Sequence, residues 1–406
     1  MFHGRKQTVN LAIAGCGGIA REHLKAYARI NEREPEKFRL TALNDVSKEA
    51  VEAFTDEAEK LLGYRPATFL DTREMLKTVK PKAVDICTPH SEHHRVAIEC
   101  IRSGADVMVE KPLGVTVRAS RTIIAAGKKY GRIVATAENI RRGVNQRTMH
   151  WLINEANLIG KPRMFYAIHA SWNDPLKPKK WHWRIEKNLS GGGLVMDSGA
   201  HFCDSMRYFF GEVDTVYAFV GQLEKWPHDK QGETFYSEVE DSWVALISFE
   251  NGLVGTWSWT MAAPGHSFTK VVYYGSEGCL LDSGDVFHGP FDGAVLILKD
   301  GTQRAMPELR EEFLKSIGEE RRSRLFPHGF TDGITLECYD FLDSVQKRRR
   351  PEVDGEEGMR AKAIAEAIYE SAKLRAAVRY RDVLSGRVSA YQDPIDRANG
   401  LLRRKR

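Results

Sequence analysis

Along the first 137 residues, short apolar runs alternate with amphipathic stretches. Val9 to Ala14 reads as a strand and Gly18 to about Ile30 as a helix. A second strand at Arg39–Leu43 leads into a helix from Ser47 to Leu62, with Ala50, Val51, Phe54, Ala58 and Leu61 on one side. Asp71 and Glu74 form a capping box for a short helix. Strands at Ala83–Cys87, Asp106–Val109 and Arg132–Ala135 then alternate with helices at Ser91–Arg102 and Thr116–Lys129. Repeated βα units of this length predict a parallel sheet covered by helices on both faces.

Beyond residue 138 the pattern changes. A helix is expected from Val144 to Leu158, closed by Gly160. Strand-like runs follow at Arg163–Trp172, Val213–Gly221, Ser242–Glu250, Leu253–Thr260, Lys270–Gly275 and Val295–Lys299. Glu250-Asn251-Gly252 is a hairpin signal, so neighbouring strands joined by short turns predict an antiparallel sheet. Apolar spacings of three and four return at Phe330–Gln346 and Met359–Val378 as two helices. The expected fold is α/β: a doubly wound parallel sheet in 1–138, an α/β domain with a largely antiparallel sheet in 139–385, and a polar basic tail in 386–406.

Composition narrows the class. At 406 residues two domains are expected, and 42% hydrophobic with 28% charged residues is ordinary for a soluble globular protein. No run of eighteen apolar residues exists, and Met1–Gln7 carries no apolar signal core. Six cysteines, Cys16, Cys87, Cys100, Cys203, Cys279 and Cys338, are scattered without close pairs, which points to a reducing cytoplasm and to neither a zinc cage nor a disulfide framework. Of the net charge of +5, four positive charges are Arg403, Arg404, Lys405 and Arg406. The body is therefore nearly neutral, which argues against nucleic acid as a partner. The run Lys347 to Arg350 at a helix end is explained by the helix dipole.

The first strand-to-helix turn carries Gly15-Cys16-Gly17-Gly18-Ile19-Ala20, a match to G-x-G-x-x-A. Gly15 permits a tight turn, Gly17 lets a pyrophosphate approach the backbone, and Ala20 keeps helix and strand close, while the helix N-terminus offers N–H groups to phosphates. A dinucleotide is the expected cofactor. Asp45, at the end of the second strand, suits the adenosine ribose hydroxyls and favours NAD, with NADP the alternative. Two further stretches end later strands, where ligands of such sheets bind: Thr88-Pro89-His90-Ser91-Glu92-His93 and Glu110-Lys111-Pro112. A lysine there can hold a substrate hydroxyl and share its proton, or serve only as a surface residue.

The loop Gly191-Gly192-Gly193 opens an apolar pattern read as a helix ending at Gly211, which places Asp197, His201 and Asp204 on one face. That trio reads as a base with an orienting carboxylate, as a cap and a core histidine, or as a metal set lacking a fourth ligand.

Taken together, the glycine turn, Thr88-Pro89-x-x-x-His93, Glu110-Lys111-Pro112 and the Gly191 to Asp204 block resemble the Gfo/Idh/MocA oxidoreductase family, which includes glucose–fructose oxidoreductase and inositol dehydrogenase. The resemblance implies a Rossmann domain, a nicotinamide cofactor, a sugar or polyol substrate, and a second domain whose sheet makes homodimers or homotetramers. It implies that Lys111, Asp197 and His201 line the active site; no metal is expected. The turn residues Gly15, Gly17, Gly18 and Ile19, with Asp45, Thr88, Pro89, His90, His93, Glu110 and Lys111, are expected around the cofactor; His90 stands where the family often has Asn. Trp183 and Arg184 echo a Trp-Arg element before the family's glycine block, and Arg141 matches an Asn-x-Arg at the domain junction, as substrate contacts or as structural partners. Trp226 to Tyr236 is expected as an exposed loop. The same residues would serve an NAD-dependent glycosidase working by transient oxidation and elimination, and a non-enzymatic sugar or NAD sensor is the remaining alternative.

Overall fold

The computed structural model describes residues 8–402 apart from Pro178 and Ser283, so the expectations for Met1–Gln7 and for Arg403–Arg406 lie outside the described residues. The chain forms two compact units: Met1–Arg142 with Phe326–Met359, and Gly143–Leu325 with Arg360–Arg406. A linear division at 138 does not include the return of 326–359 to the first unit.

In the first unit the chain runs β1 (Val9–Ala14), α1 (Gly18–Arg33), β2 (Phe38–Asn44), α2 (Lys48–Leu62), β3 (Ala67–Phe69), α3 (Thr72–Val79), β4 (Ala83–Ile86), α4 (His90–Ser103), β5 (Asp106–Glu110), α5 (Val117–Tyr130) and β6 (Val134–Ala137). The strands pair in parallel in the order β3-β2-β1-β4-β5-β6. This is the Rossmann order, in which the crevice for a dinucleotide lies where the order reverses beside β1. Ser47, Asp71 and Thr116 accept backbone N–H bonds as caps of α2, α3 and α5, and left-handed Gly63, Gly104 and Gly131 close α2, α4 and α5. Val9, Leu11, Ile13, Leu24, Tyr27 and Phe54 form the core together with Cys338, Phe341, Leu342 and Val345 from the returning helix Gly333–Lys347. That apolar stripe is what binds the C-terminal segment to this unit.

The second unit begins with α6 (Val144–Asn154), β7 (Pro162–Ala170), β8 (Lys179–Lys180), α7 (Lys187–Ser190) and α8 (Gly199–Phe210). Strands follow as β9 (Val213–Gly221), β10 (Pro227–Lys230), β11 (Glu233–Tyr236), β12 (Ser242–Phe249), β13 (Val254–Thr260), β14 (Phe268–Gly275), β15 (Gly278–Asp282), β16 (Val295–Leu298), β17 (Gln303–Ala305) and β18 (Val378–Arg379). Nine of them make one sheet in the order β17-β16-β15-β14-β7-β13-β12-β9-β18, antiparallel except where β13 meets β7. The hairpin at Glu250–Gly252 joins β12 to β13: Asn251 Oδ1 accepts the Leu253 N–H and Gly252 is left-handed. Alternation is strict in β12, with Trp243, Ala245 and Ile247 inside and Val244 and Leu246 outside.

Several boundaries differ from expectation for local reasons. Helix α6 stops at Asn154 because Ala156 and Leu158 bond back to Trp151 and Leu152 over wider turns and Asn157 is left-handed. Residues 226–236 are not an exposed loop: β10 and β11 form a hairpin that pairs with β8, and Trp226 is buried with its indole N–H on Asp241. Val378 belongs to β18, since the long helix before it spans Gly355–Leu374. Among the described residues no helix is long and apolar enough to cross a membrane.

Candidate active site

At the carboxyl edge of the parallel sheet, Gly15 is left-handed and a Cβ there would lie 2.5 Å from the Cys87 carbonyl oxygen, so only glycine fits. Gly17 and Gly18 are exposed, and a Cβ at either would meet nothing within 4 Å. Helix α1 starts at Gly18 with no side-chain cap, leaving its first N–H groups available beside half-buried Ile19. Asp45 closes this turn from the side: its Oδ2 accepts the Cys16 N–H at 2.8 Å and its Oδ1 the Ser47 N–H at 2.9 Å. These features fit a dinucleotide, with open space over a helix N-terminus and a carboxylate at the end of β2.

Thr88 and Pro89 are half-buried after β4, whereas His90 and His93 at the start of α4 are buried with ring centroids 5.6 Å apart. His93 spans two loops: Nε2 lies 2.9 Å from the Thr88 carbonyl oxygen and Nδ1 3.0 Å from that of Pro112. The turn holding Lys111 is thereby tied to the turn holding Thr88.

Lys111 is half-buried at the end of β5, and its backbone N–H donates to Glu110 Oε2 at 3.0 Å. Glu110 itself is turned inward, only 7% exposed, with Oε1 3.0 Å from His23 Nε2. The other nitrogen of His23 lies 2.8 Å from Asp85 Oδ2, which also accepts the Tyr27 hydroxyl at 2.9 Å. Burial opposes charge on His23, but Asp85 lifts it well above the ordinary imidazole range, so the ring is held as a cation between two carboxylates. Glu337, 3.5 Å from His23 Nε2, is pushed up by its burial and by Glu110, which favours its protonated form. Glu110 thus anchors the Lys111 turn. Arg141 is buried and pairs with Glu357 at 3.6 Å.

In the second unit, Asp197 stands outside the helix expected to carry it. Met196 and Asp197 both donate their N–H groups to the Gly193 carbonyl, Gly199 donates to Leu194, and α8 begins only at Gly199. His201 and Asp204 share that helix and are buried; Asp197 lies in the turn before it, half-buried. Arg184 Nε donates to Asp197 Oδ2 at 2.7 Å, and the same guanidinium lies over the Trp183 ring at 4.4 Å. Beneath, Glu240 accepts the N–H groups of Gly193 and Val195 at 2.9 and 3.0 Å and the Tyr369 hydroxyl at 2.8 Å. The groups of ligating atoms close enough to share an ion lie elsewhere among the described residues, around His23.

Two family models cover these regions. The one for the oxidoreductase family with an NAD-binding Rossmann fold matches residues 9–138, and the one for the GFO/IDH/MocA C-terminal domain matches residues 147–281. The chain belongs to the GFO/IDH/MocA oxidoreductase family. It is an NAD-binding oxidoreductase. Within the family it is similar to the levoglucosan dehydrogenase of Pseudarthrobacter phenanthrenivorans, 28% identical over 68% of this chain and 73% of that one. It is also similar to the 1,5-anhydro-D-fructose reductase of Ensifer adhaerens, 25% identical over 60% and 70%. In fold it matches a levoglucosan dehydrogenase solved with NADH and L-sorbose, with a TM-score of 0.74 at 23% identity over 92% of this chain and 99% of that one.

Motif spacing alone does not reach several buried or neighbouring polar residues. His23 lies on the buried side of α1 between Ala20, Leu24 and Tyr27, so a polar residue inside an apolar stripe was its signal. Lys362 and Glu366, fully buried and 2.9 Å apart, break an alanine-rich helix in the same way. His288, whose ring centroid is 5.2 Å from that of His201, sits in an irregular loop and carries no such pattern.

Proposed function

We propose that this chain reversibly oxidises a secondary alcohol of a sugar, inositol or related polyol, with NAD as partner. What carries the reading is Lys111: a lysine at the carboxyl edge of the nucleotide-binding sheet, its backbone tethered by Glu110 and its turn braced by His93. In this reading Gly15, Gly17, Gly18, Ile19 and Asp45 hold the dinucleotide, with Thr88, Pro89, His90 and His93 shaping the neighbouring edge. When bound, NAD supplies the hydride acceptor. Lys111 binds the reacting oxygen and stabilises its developing negative charge, and His201 takes the hydroxyl proton. Asp197 orients that proton transfer, and its contact with Arg184 makes the pair a receptor for further substrate hydroxyls, with Trp183 offering an apolar face to a sugar ring. Arg141, paired with Glu357, adds a buried cation at the end of the nucleotide-binding segment. We assign cofactor binding to 1–138 and substrate binding and association to 139–385; the stretch expected as a polar basic tail, 386–406, carries a helix at Gln392–Ala398 with Ile395 buried.

Supporting self-association, the outer face of the nine-stranded sheet presents Tyr217, Phe219, Val244 and Leu246, each more than half exposed. We propose a homodimer or homotetramer through that face, for which light scattering would give two or four times 45.9 kDa. A reducing, cytoplasmic setting agrees with six cysteines among which no disulfide joins the described residues.

The test is NADH absorbance with NAD and a panel of aldoses, inositols, sugar acids and aryl glycosides, with aglycone release followed in parallel. Substrate-dependent NADH accumulation is the expected result. Aglycone release without NADH would instead make the protein a redox-assisted glycosidase.

A further inference from the structure

The loop between β15 and β16 presents a second imidazole beside the first. Asp285 Oδ1 accepts the N–H groups of Phe287 and His288 at 2.6 and 2.8 Å, and Oδ2 lies 2.8 Å from His288 Nδ1. Burial would raise the Asp285 carboxyl, but His288 and the two N–H groups hold it below the usual carboxylate range. An ionised carboxylate at Nδ1 fixes the tautomer that keeps its proton there and leaves Nε2 as an acceptor.

The loop is held from several sides. Gln146 Nε2 donates to the carbonyl oxygens of His288 and Pro290 at 2.8 and 3.4 Å, and Asp292 accepts from Asn145 and Arg310. The Phe287 ring lies 6.1 to 6.4 Å from the rings of Trp243, Trp257 and Trp259. His288 is left about one-third exposed, its ring tilted 50° to that of His201 at 5.2 Å between centroids. This loop lies beyond residues 147–281, the part that matches the family's C-terminal model.

We infer that His288 is a specificity-determining residue: its Nε2 accepts a hydrogen bond from the substrate hydroxyl next to the one whose proton His201 takes. The substrate class follows as a vicinal diol, oxidised at one of its two carbons. This rests on the polyol reading above. Two imidazoles side by side suit neighbouring hydroxyls, and a site with a committed acceptor discriminates against an analogue lacking the matching hydroxyl.

The experiment is calorimetric titration of the NAD-loaded protein with diol substrates from the panel and with their monodeoxy analogues. The wild type is expected to prefer the diol by at least about tenfold. His288→Ala should bring the ratio close to one with NAD affinity unchanged. Asp285→Asn, which keeps the ring but releases its tautomer, should reduce the ratio at least about threefold and decides the matter if the alanine variant does not fold. A ratio unaltered in a folded variant overturns the role of His288 and leaves the polyol reading standing. A wild type that binds NAD but none of the polyols overturns both.

Discussion

Two buried polar networks underlie the two halves of the proposed machinery, and they hold their loops by different means. Beneath Lys111 an imidazolium is clamped between Asp85 and Glu110, and the free oxygen of Glu110 grips a single backbone N–H. Beneath the glycine loop one carboxylate, Glu240, collects two backbone N–H groups and a tyrosine hydroxyl. The first arrangement fixes one residue through paired charges. The second fixes a stretch of loop that has no side chains of its own at Gly191, Gly192 and Gly193. Gly192 shows why none are tolerated, since a Cβ there would lie 2.2 Å from the Tyr369 hydroxyl. In both cases one residue of the network comes from the C-terminal quarter of the chain: Glu337 in the first unit, and Tyr369 in the second.

The contrast predicts unequal failures. Glu240→Ala should do the most damage to stability, because it takes the acceptor from the buried Val195 N–H and Tyr369 hydroxyl and leaves the Gly193 N–H only the Tyr369 oxygen at 3.1 Å. A loss of about 4 kcal/mol is expected, read from urea unfolding, together with loss of turnover. Glu110→Ala should act more locally. Turnover is expected to fall by about a hundredfold with NAD affinity within about threefold of the wild type, whereas Glu110→Gln, which still accepts the Lys111 N–H, should recover most of it. Equal losses of NAD affinity in the two Glu110 variants would return that residue to the cofactor's surroundings.

A smaller effect, read by pH, belongs to a third buried group, the Lys362–Glu366 pair. Burial pushes the Glu366 carboxyl up to about 7 against the pull of Lys362, with Glu370 adding to the rise, while burial lowers Lys362. A carboxyl raised in the folded state above its ordinary 4.5 contributes stability that is complete below pH 4.5 and is lost as pH climbs through about 7. The slope is at most about 1.4 kcal/mol per pH unit from this group. Glu366→Gln should flatten unfolding free energy between pH 4.5 and 7 relative to the wild type, and identical slopes would remove Glu366 from the account.

Much of this was legible because its signals are local. The βα repeats of the first 137 residues, the Gly15 turn and the Glu250–Gly252 hairpin are each written within a few neighbouring residues. Strand β3 was not, being three residues long with Ala67 and Thr68 exposed, so no apolar alternation marks it. The position of Asp197 failed for another reason: helical spacing assumes a helix, and Gly193 gathers two N–H groups that wind the chain into turns first. Glu110 was legible as part of a motif but not in its direction, which depends on His23, 87 residues earlier in the chain. His288 meets His201 only through tertiary folding, and its Asp285 partner looks like any loop acid.

The most direct test of the proposed chemistry compares Lys111→Ala and His201→Ala with the wild type, measuring NAD affinity by fluorescence titration and turnover by NADH absorbance on the best substrate of the panel. The account predicts NAD affinity within about threefold of the wild type and turnover reduced at least about a hundredfold in each variant. Near-normal turnover in either variant, with NAD still bound, would contradict it.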